Sequence, residues 1–192
     1  MRQFVLQMKW SVCITIALTT LLVLVNQHVN ALVLQAYQRN DPVEVDRLLG
    51  SYRAFTNGEE GSERSLVTVS SAHGQTEMLR VFLEHGGNPN TASLWGDTPL
   101  IAATRAAASP CVSLLLRSGA DPNLRNPFDG DTALIAAAEK EDTAITSILL
   151  DHHASVNLRN KSGYTALKMA RLSDDKPSHS VITLLKRAGE CN

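Results

Sequence analysis

The chain has 192 residues, of which 44% are hydrophobic, 19% charged and 5% aromatic, and its formal net charge is −1. That length and apolar content suit one folded domain with a buried core and exclude a disordered chain. The balanced charge and few aromatic residues argue against a nucleic-acid-binding groove, and three cysteines exclude a disulfide-rich mini-protein or a four-cysteine zinc module.

The N-terminal residues 1–31 have the pattern of an export signal. Arg2 and Lys9 precede the uncharged segment Trp10–Val25, and a polar stretch then ends at Ala31. A basic start, an apolar segment and a small residue at the end are typical of a cleaved signal peptide. The alternative is a retained anchor, for which this segment is short. Both alternatives place the remaining chain outside the cytoplasm, either exported (periplasmic or secreted) or as a single-pass membrane-anchored protein.

The rest of the chain repeats itself with a period of 33 or 34 residues. Similar ten-residue segments open at Ser65, Thr98, Thr132 and Thr165, at steps of 33, 34 and 33. Each is followed by an apolar segment that ends in small or polar residues, over 78–90, 111–123, 145–157 and 181–189. A period of this length predicts stacked supersecondary units, none of which can bury its apolar face alone.

Each unit predicts two helices and a connecting loop. Thr98 and Thr132 are expected to cap alanine-rich first helices, with Pro99 in the first turn. The second helices carry the leucine-rich segments 114–116 and 148–150, which are expected to fill the layer between units. Gly86 and Gly119 are expected to end the second helices in left-handed geometry. Three further glycines are expected to turn the chain into the next unit: Gly96, Gly130 and Gly163.

These residues resemble the ankyrin repeat family. The likeness is carried by Thr98-Pro99-Leu100, Ala102-Ala103, the leucines 114–116 and Gly119–Asn123, with their counterparts one period away. It implies an all-α repeat solenoid of stacked helix-turn-helix units with projecting hairpin loops, called fingers below. The expected domain covers 32–192, with approximate units 32–62, 63–95, 96–129, 130–162 and 163–192, the first being degenerate. Its expected helices contain Val33–Tyr37 and Val45–Leu49.

Three features depart from the family pattern. Where the family often has a histidine that ties adjacent repeats, the chain has Thr68, Ile101, Ile135 and Lys168, so that tie is expected to be missing or replaced. Residues 50–64 form a polar segment in place of a first turn and loop. The last unit has an insertion around 174–176 and a polar character, which suits a terminal cap.

No motif for catalysis or for a cofactor occurs in the sequence. His152 and His153 are adjacent and lack a third ligand. His153 stands at a family glycine position, so backbone strain or a modified helix cap is expected there rather than a metal. Cys111 and Cys191 are expected to lie too far apart for a disulfide. Asn160-Lys161-Ser162 is a glycosylation sequon on a predicted hairpin tip.

The resemblance implies a protein-binding surface formed by the fingers and the first helices. The residues expected there are Leu94, Trp95, Asp97, Arg125, Phe128, Asp131, Arg159, Lys161 and Tyr164. Aromatic and arginine side chains are typical of interface hot spots. The alternatives are that the aromatic residues cover neighbouring fingers, and that Asp97 and Asp131 cap helices.

The sequence therefore predicts a non-catalytic protein-protein interaction module that is exported or membrane-tethered. We expect a monomer that binds an unidentified protein, with no cofactor and no nucleic acid, and with membrane contact only through residues 10–25 if the signal is retained. One alternative is a small metal- or thiol-dependent enzyme or redox protein that uses His152, His153, Cys111 or Cys191. Another is a membrane-anchored structural spacer.

Overall fold

Helices account for the regular secondary structure of the described residues, which are 28, 31–51, 66–172 and 179–190 of a computed structural model. Several predicted features lie outside them: most of the 1–31 signal, 52–64 of the polar segment, Ser65, the insertion at 174–176 and Cys191. The chain divides into two compact units, Met1–Phe55 and Thr56–Asn192.

The first unit contains the predicted degenerate helix pair. Residues 31–38 belong to helix α1, and α2 spans Pro42–Ser51. Asp41 starts α2, because its carboxylate accepts a hydrogen bond from the Glu44 N–H at 3.0 Å. Most apolar residues of the two predicted segments are buried, whereas Leu34 is 48% exposed; the buried ones are Val33, Ala36, Val45, Leu48 and Leu49.

The second unit is a stack of four helical hairpins. The first helix of each is α3 (Leu66–Ala72), α5 (Pro99–Arg105), α7 (Ala133–Glu139) or α9 (Ala166–Leu172). The second helix is α4 (Thr76–Glu84), α6 (Ser109–Arg117), α8 (Thr143–Asp151) or α10 (His179–Glu190). The odd-numbered helices pack side by side in chain order as an inner row, and the even-numbered helices form a parallel outer row. The predicted all-α repeat solenoid is confirmed.

Threonine hydroxyls begin the inner helices, as the repeat pattern predicts. Thr98 accepts a hydrogen bond from the Ile101 N–H, and Thr132 accepts one from the Ile135 N–H, each at 3.3 Å. Pro99 occupies the first turn, where its missing N–H is not needed. Since the threonines already cap both helices, the alternative that Asp97 and Asp131 are the capping residues is wrong.

Small side chains let the inner helices lie close together. Ala103 in α5 and Ala136, Ala137 and Ala138 in α7 are fully buried. In the outer row Phe82, Leu115 and Leu149 are likewise buried and fill the space between successive hairpins. Burial of a large apolar side chain contributes roughly 1.5–3 kcal/mol, so this repeated layer is the main source of stability.

Each repeat also requires left-handed backbone at fixed positions. The turn between inner and outer helix has φ of 65° at Gly74 and 54° at both Ala107 and Glu141. The end of the outer helix has φ of 87° at Gly86 and Gly119, and 62° at His153. The prediction of backbone strain at His153 is confirmed, because only glycine adopts this conformation without steric cost.

No helix among the residues that the structure describes is both long enough and apolar enough to span a bilayer.

Candidate protein-binding surface

Three hairpin loops project beside the inner helices, and each is closed in the same way. We call residues 91–97 finger 1, residues 124–131 finger 2 and residues 158–164 finger 3. Their closing backbone hydrogen bonds run from Ser93 N to Asp97 O, from Asn126 N to Asp131 O and from Asn160 N to Tyr164 O, each 2.9 Å long. Finger 2 thus holds one more residue between its closing partners than the other two, which accounts for the 34-residue step at this point.

A buried asparagine joins finger 2 to finger 1. The Asn126 side-chain amide donates to the Asp97 carboxylate at 2.7 Å and to the Trp95 carbonyl at 3.0 Å. Its amide oxygen accepts the Phe128 N–H at 2.7 Å, and the residue is only 2% exposed. Asn126 therefore fixes the geometry of its own finger and its distance from the preceding one.

The same contact recurs one repeat later. The Asn160 amide donates to the Asp131 carboxylate at 3.0 Å, while its oxygen accepts the Tyr164 N–H at 2.9 Å. The Lys161 N–H adds a bond to the Asp129 carbonyl at 2.8 Å. The three fingers are therefore connected as one hydrogen-bonded row.

Glycine is required in this row for conformation and for space. Gly96 and Gly130 both have φ of 78°. A Cβ atom on Gly96 would lie 2.6 Å from Asn126 Oδ1 and 2.8 Å from Phe128 Cδ2. A Cβ atom on Gly130 would lie 2.8 Å from the Lys161 nitrogen. Each glycine thus allows the next finger to approach.

Asparagines below the fingers tie successive repeats together. The Asn90 amide donates to the Gly119 carbonyl at 3.2 Å and its oxygen accepts the Asp121 N–H at 2.8 Å. One repeat later, the Asn123 oxygen accepts the Ser155 N–H at 2.8 Å. These bonds hold the finger bases at a constant spacing.

Arg105, the last residue of α5, binds three finger carboxylates. Its guanidinium lies 2.8 Å from Asp129, 3.5 Å from Asp97 and 3.6 Å from Asp131. Burial opposes the ionisation of Asp129, but the Asp131 N–H and Arg105 outweigh it and lower the pKa of Asp129. Burial instead raises the pKa of Asp131, and the Asp129 charge adds to that increase. Arg105 thus joins the inner helix α5 to fingers 1 and 2.

The finger tips expose large apolar side chains. Trp95 is 84% exposed, Phe128 66% and Leu94 62%. The Phe128 ring lies beside Gly96, the residue that follows Trp95. Trp95 therefore does not cover a neighbouring finger, whereas the Phe128 ring lies on finger 1, as the alternative for the aromatic residues expects. Exposed aromatic side chains on an otherwise ordered scaffold are typical of protein interaction sites.

A comparison with known protein families shows to which family the chain belongs. A family model described as "Ankyrin repeats (3 copies)" matches residues 32–126 and 105–192. The chain belongs to the ankyrin repeat family. Its two family matches cover the degenerate first pair as well as the four described hairpins.

Several curated proteins are similar to part of this chain. The cyclin-dependent kinase 4 inhibitor B of Rattus norvegicus is 37% identical over 67 residues, 35% of this chain and 50% of that protein. Oxysterol-binding protein-related protein 1 of Homo sapiens is 39% identical over 66 residues, 33% of this chain and 7% of that protein. The serine/threonine-protein kinase VIK of Arabidopsis thaliana is 28% identical over 89 residues, 46% of this chain and 20% of that protein. The chain therefore aligns with half or less of the length of these three relatives.

The missing family histidine is replaced in one ankyrin repeat by a different tie. The Thr68 hydroxyl donates to the Thr91 carbonyl of finger 1 at 3.3 Å. Ile101 and Ile135, at the equivalent positions, are fully buried apolar residues.

The other predicted interface residues are partly engaged within the ankyrin domain. Arg125 and Arg159 donate to the Gly130 and Gly163 carbonyls at 3.2 and 3.0 Å. The half-buried Tyr164 ring lies 4.0 Å from the Lys168 ammonium, a cation–π contact. Asp97 and Asp131 hold neighbouring fingers in place, and Lys161 is exposed. Their assignment to a partner interface stays a prediction, with the exposed tips best placed for contact.

Sequence reasoning missed Arg105, Asn126 and Asn160 as parts of this face. The two asparagines stand 34 residues apart, as do Asp97 and Asp131. This equal spacing was the available signal that amides and carboxylates of successive fingers would meet.

The residues considered for chemistry are dispersed. In the described ranges, no three His, Cys, Asp or Glu side chains are grouped so as to hold a metal ion. His152 follows the end of α8 and is exposed. Cys111 is a free, buried thiol 3.3 Å from the Thr76 hydroxyl, and burial raises its pKa. The sequon amide of Asn160 is occupied by its bond to Asp131.

Proposed function

We propose that this chain is a non-catalytic protein-binding module whose partner contacts the finger tips and the adjoining inner helices. Ankyrin repeats generally mediate protein-protein interaction. The observation that carries the proposal is the exposure of Leu94, Trp95 and Phe128 on fingers that are otherwise tied to one another. Since the fingers are already ordered, little conformational entropy is lost when a partner binds.

The hydrogen bonds of the finger row separate binding from folding. Trp95 contributes its carbonyl to the row, and Phe128 contributes its N–H. Replacing both side chains by alanine keeps those backbone groups, so the double variant retains the scaffold. Truncation of interface hot spots costs about 2 kcal/mol or more each, which corresponds to a loss of roughly 30-fold in affinity.

Quantitative affinity capture from the native source tests this proposal. The full chain and the variant Trp95→Ala/Phe128→Ala are compared by mass spectrometry of the captured proteins. Arg117→Ala/Asp151→Ala, at exposed outer-helix ends, is the matched control. We expect the control to capture the same partner as the natural chain and the finger variant to lose it at an unchanged melting temperature. Equal capture by the folded finger variant would contradict the assigned face.

We further propose that the module acts outside the cytoplasm, either exported or anchored by its N-terminal segment. The support is the basic start, the uncharged segment Trp10–Val25 and the small residue Ala31. Intact-mass measurement on the protein from its native source separates the two forms, since cleavage removes residues 1–31. Full-length protein in the soluble cytoplasmic fraction would contradict export.

A further inference from the structure

Two features of the finger face lie side by side. We call Leu94, Trp95 and Phe128 the tip patch, and Asp97, Asp129 and Asp131 the acidic floor. Asp97 is two residues beyond Trp95 and Asp129 follows Phe128 directly. Asn126 bonds both the Trp95 carbonyl and the Asp97 carboxylate. The Phe128 ring lies beside Gly96, between Trp95 and Asp97 in the chain, and Arg105 joins Asp97 to Asp129, so the tip patch and the acidic floor belong to the same two fingers.

The acidic floor carries more negative than positive charge. Its three carboxylates share the Arg105 guanidinium, and Glu139 of α7 is close enough to act on Asp131. Two further cations belong to these fingers: the Arg125 guanidinium binds the Gly130 carbonyl, and the exposed Lys161 bonds the Asp129 carbonyl through its backbone N–H. Among the ion pairs of the described residues at this place, three carboxylates share one guanidinium, so the acidic floor is not fully neutralised by Arg105.

Asp129 is the part of this excess that a partner can reach. Its side chain is 42% exposed, whereas those of Asp97 and Asp131 are 18% and 10% exposed. Each oxygen of the Asp129 carboxylate already accepts one hydrogen bond from the protein, Oδ2 from Arg105 and Oδ1 from the Asp131 N–H. A carboxylate oxygen can accept a second hydrogen bond, and the 42% exposed side chain leaves that capacity accessible to a cation of a partner.

We propose that the tip patch and acidic floor bind a protein segment in which a lysine or arginine stands next to an aromatic or aliphatic residue. This inference rests on the proposed protein-binding function and names the chemistry of the partner. The apolar residue packs on Phe128 and Leu94, and the cation pairs with Asp129. The alkyl stem of the cationic side chain crosses the tip patch, and the exposed Trp95 ring adds a cation–π contact.

Selection from a random peptide library displayed on phage tests the proposal on the full chain. Peptides are enriched on the natural chain after depletion on Trp95→Ala/Phe128→Ala. We expect the enriched sequences to share a basic residue adjacent to an aromatic or aliphatic one. A synthetic peptide of this class should bind about 10-fold more weakly to Asp129→Asn, while Asp151→Asn, an exposed carboxamide substitution in α8, should have no effect.

Changing the peptide supplies a test that does not depend on folding of a variant. Replacing its basic residue by glutamine should weaken binding to the natural chain about 10-fold, and raising the salt concentration should weaken binding of the parent peptide more than that of the glutamine peptide. Finger-dependent peptides that are neutral or acidic, or that bind Asp129→Asn equally well, would overturn this inference but leave the proposed function standing. If no enriched peptide depends on Trp95 and Phe128, both proposals fail.

Discussion

The side-chain amide of Asn126 donates to the carboxylate of Asp97 across 2.7 Å, joining two successive fingers of the repeat stack. The contact turns separate hairpin loops into a continuous surface. Because Asn126 is buried, water does not readily replace a hydrogen bond of its amide that a mutation removes.

We predict that Asn126→Ala destabilises the fold by about 2–4 kcal/mol, because it leaves the Asp97 carboxylate and the Phe128 N–H without a bond that each makes in the native protein. Urea unfolding followed by circular dichroism measures the change. Asn157→Ala is the matched control, since Asn157 is exposed, and we expect it to remain within about 0.5 kcal/mol of the natural chain. Equal stability of the two variants would show that the finger row is not held by this amide.

Glycine at the left-handed helix–helix turn is expected to stabilise the protein. Ala107 and Glu141 both have φ of 54°, a conformation that costs an L-residue about 1–2 kcal/mol. After the entropy that glycine loses on folding, Ala107→Gly and Glu141→Gly should each gain about 0.5–1 kcal/mol. Ala106→Gly is the control, because Ala106 has φ of −82° and glycine should destabilise it there. Thermal unfolding of the three variants gives the comparison, and a loss of stability in Ala107→Gly would refute the reasoning.

Removing Arg105 is expected to destabilise the protein in a pH-dependent way. Arg105→Met leaves three carboxylates together, and at neutral pH we expect a loss of about 1 kcal/mol, since the guanidinium is partly exposed and screened. The lowered pKa of Asp129 means that its contribution is present above the ordinary aspartate pKa of about 3.9 and disappears as pH falls through the native value.

The raised pKa of Asp131 acts in the opposite direction, because proton uptake by this buried group favours the folded state as pH falls. Arg105 lowers the pKa of both carboxyl groups, so its removal raises both and lets the variant gain more from protonation than the natural chain does. The stability difference between Arg105→Met and the natural chain should therefore shrink on acidification. Urea unfolding at pH 7 and pH 3 measures it, with Arg117→Met as the control. A difference that grows on acidification would contradict the assigned charge arrangement.

Much of the scaffold could be predicted because its determinants are local. A threonine before a short alanine-rich helix caps that helix whatever surrounds it, and Thr98 and Thr132 do so. Gly119 and Gly130 predict left-handed backbone because glycine has no Cβ atom and adopts positive φ without steric cost. The repeat period then determines the stacking, since each hairpin is apolar on the sides that face its neighbours.

The finger face was harder to predict because its contacts join different repeats. Locally, Asp97 and Asp131 precede capping threonines and could equally be caps, but the threonine hydroxyls already accept those N–H groups. Their actual partners, Asn126 and Asn160, are supplied by the following finger. The one-residue extension of finger 2 is visible in the sequence as a 34-residue step. The position of the Phe128 ring beside Gly96 is not, because these residues belong to different fingers.

The buried thiol provides a test of the redox alternative. Cys111 is fully buried and its pKa is raised by burial, so we expect it to be unreactive toward iodoacetamide in the native protein and to react when urea unfolds the chain. In a Cys13→Ser/Cys191→Ser variant Cys111 is the remaining cysteine, so all label that mass spectrometry measures is on Cys111. Rapid labelling of Cys111 under native conditions would favour a thiol-dependent activity over a structural role.

The central claim, that a partner protein contacts the finger tips, is tested most directly by site-specific photocrosslinking in the native source. A photoreactive amino acid replaces Leu94 in one full-length chain and Arg117, at the end of outer helix α6, in another. We expect a covalent adduct with one partner protein from position 94 and none with that partner from position 117. Adducts with the same partner from position 117 alone would contradict the claim and place the interface on the outer helices.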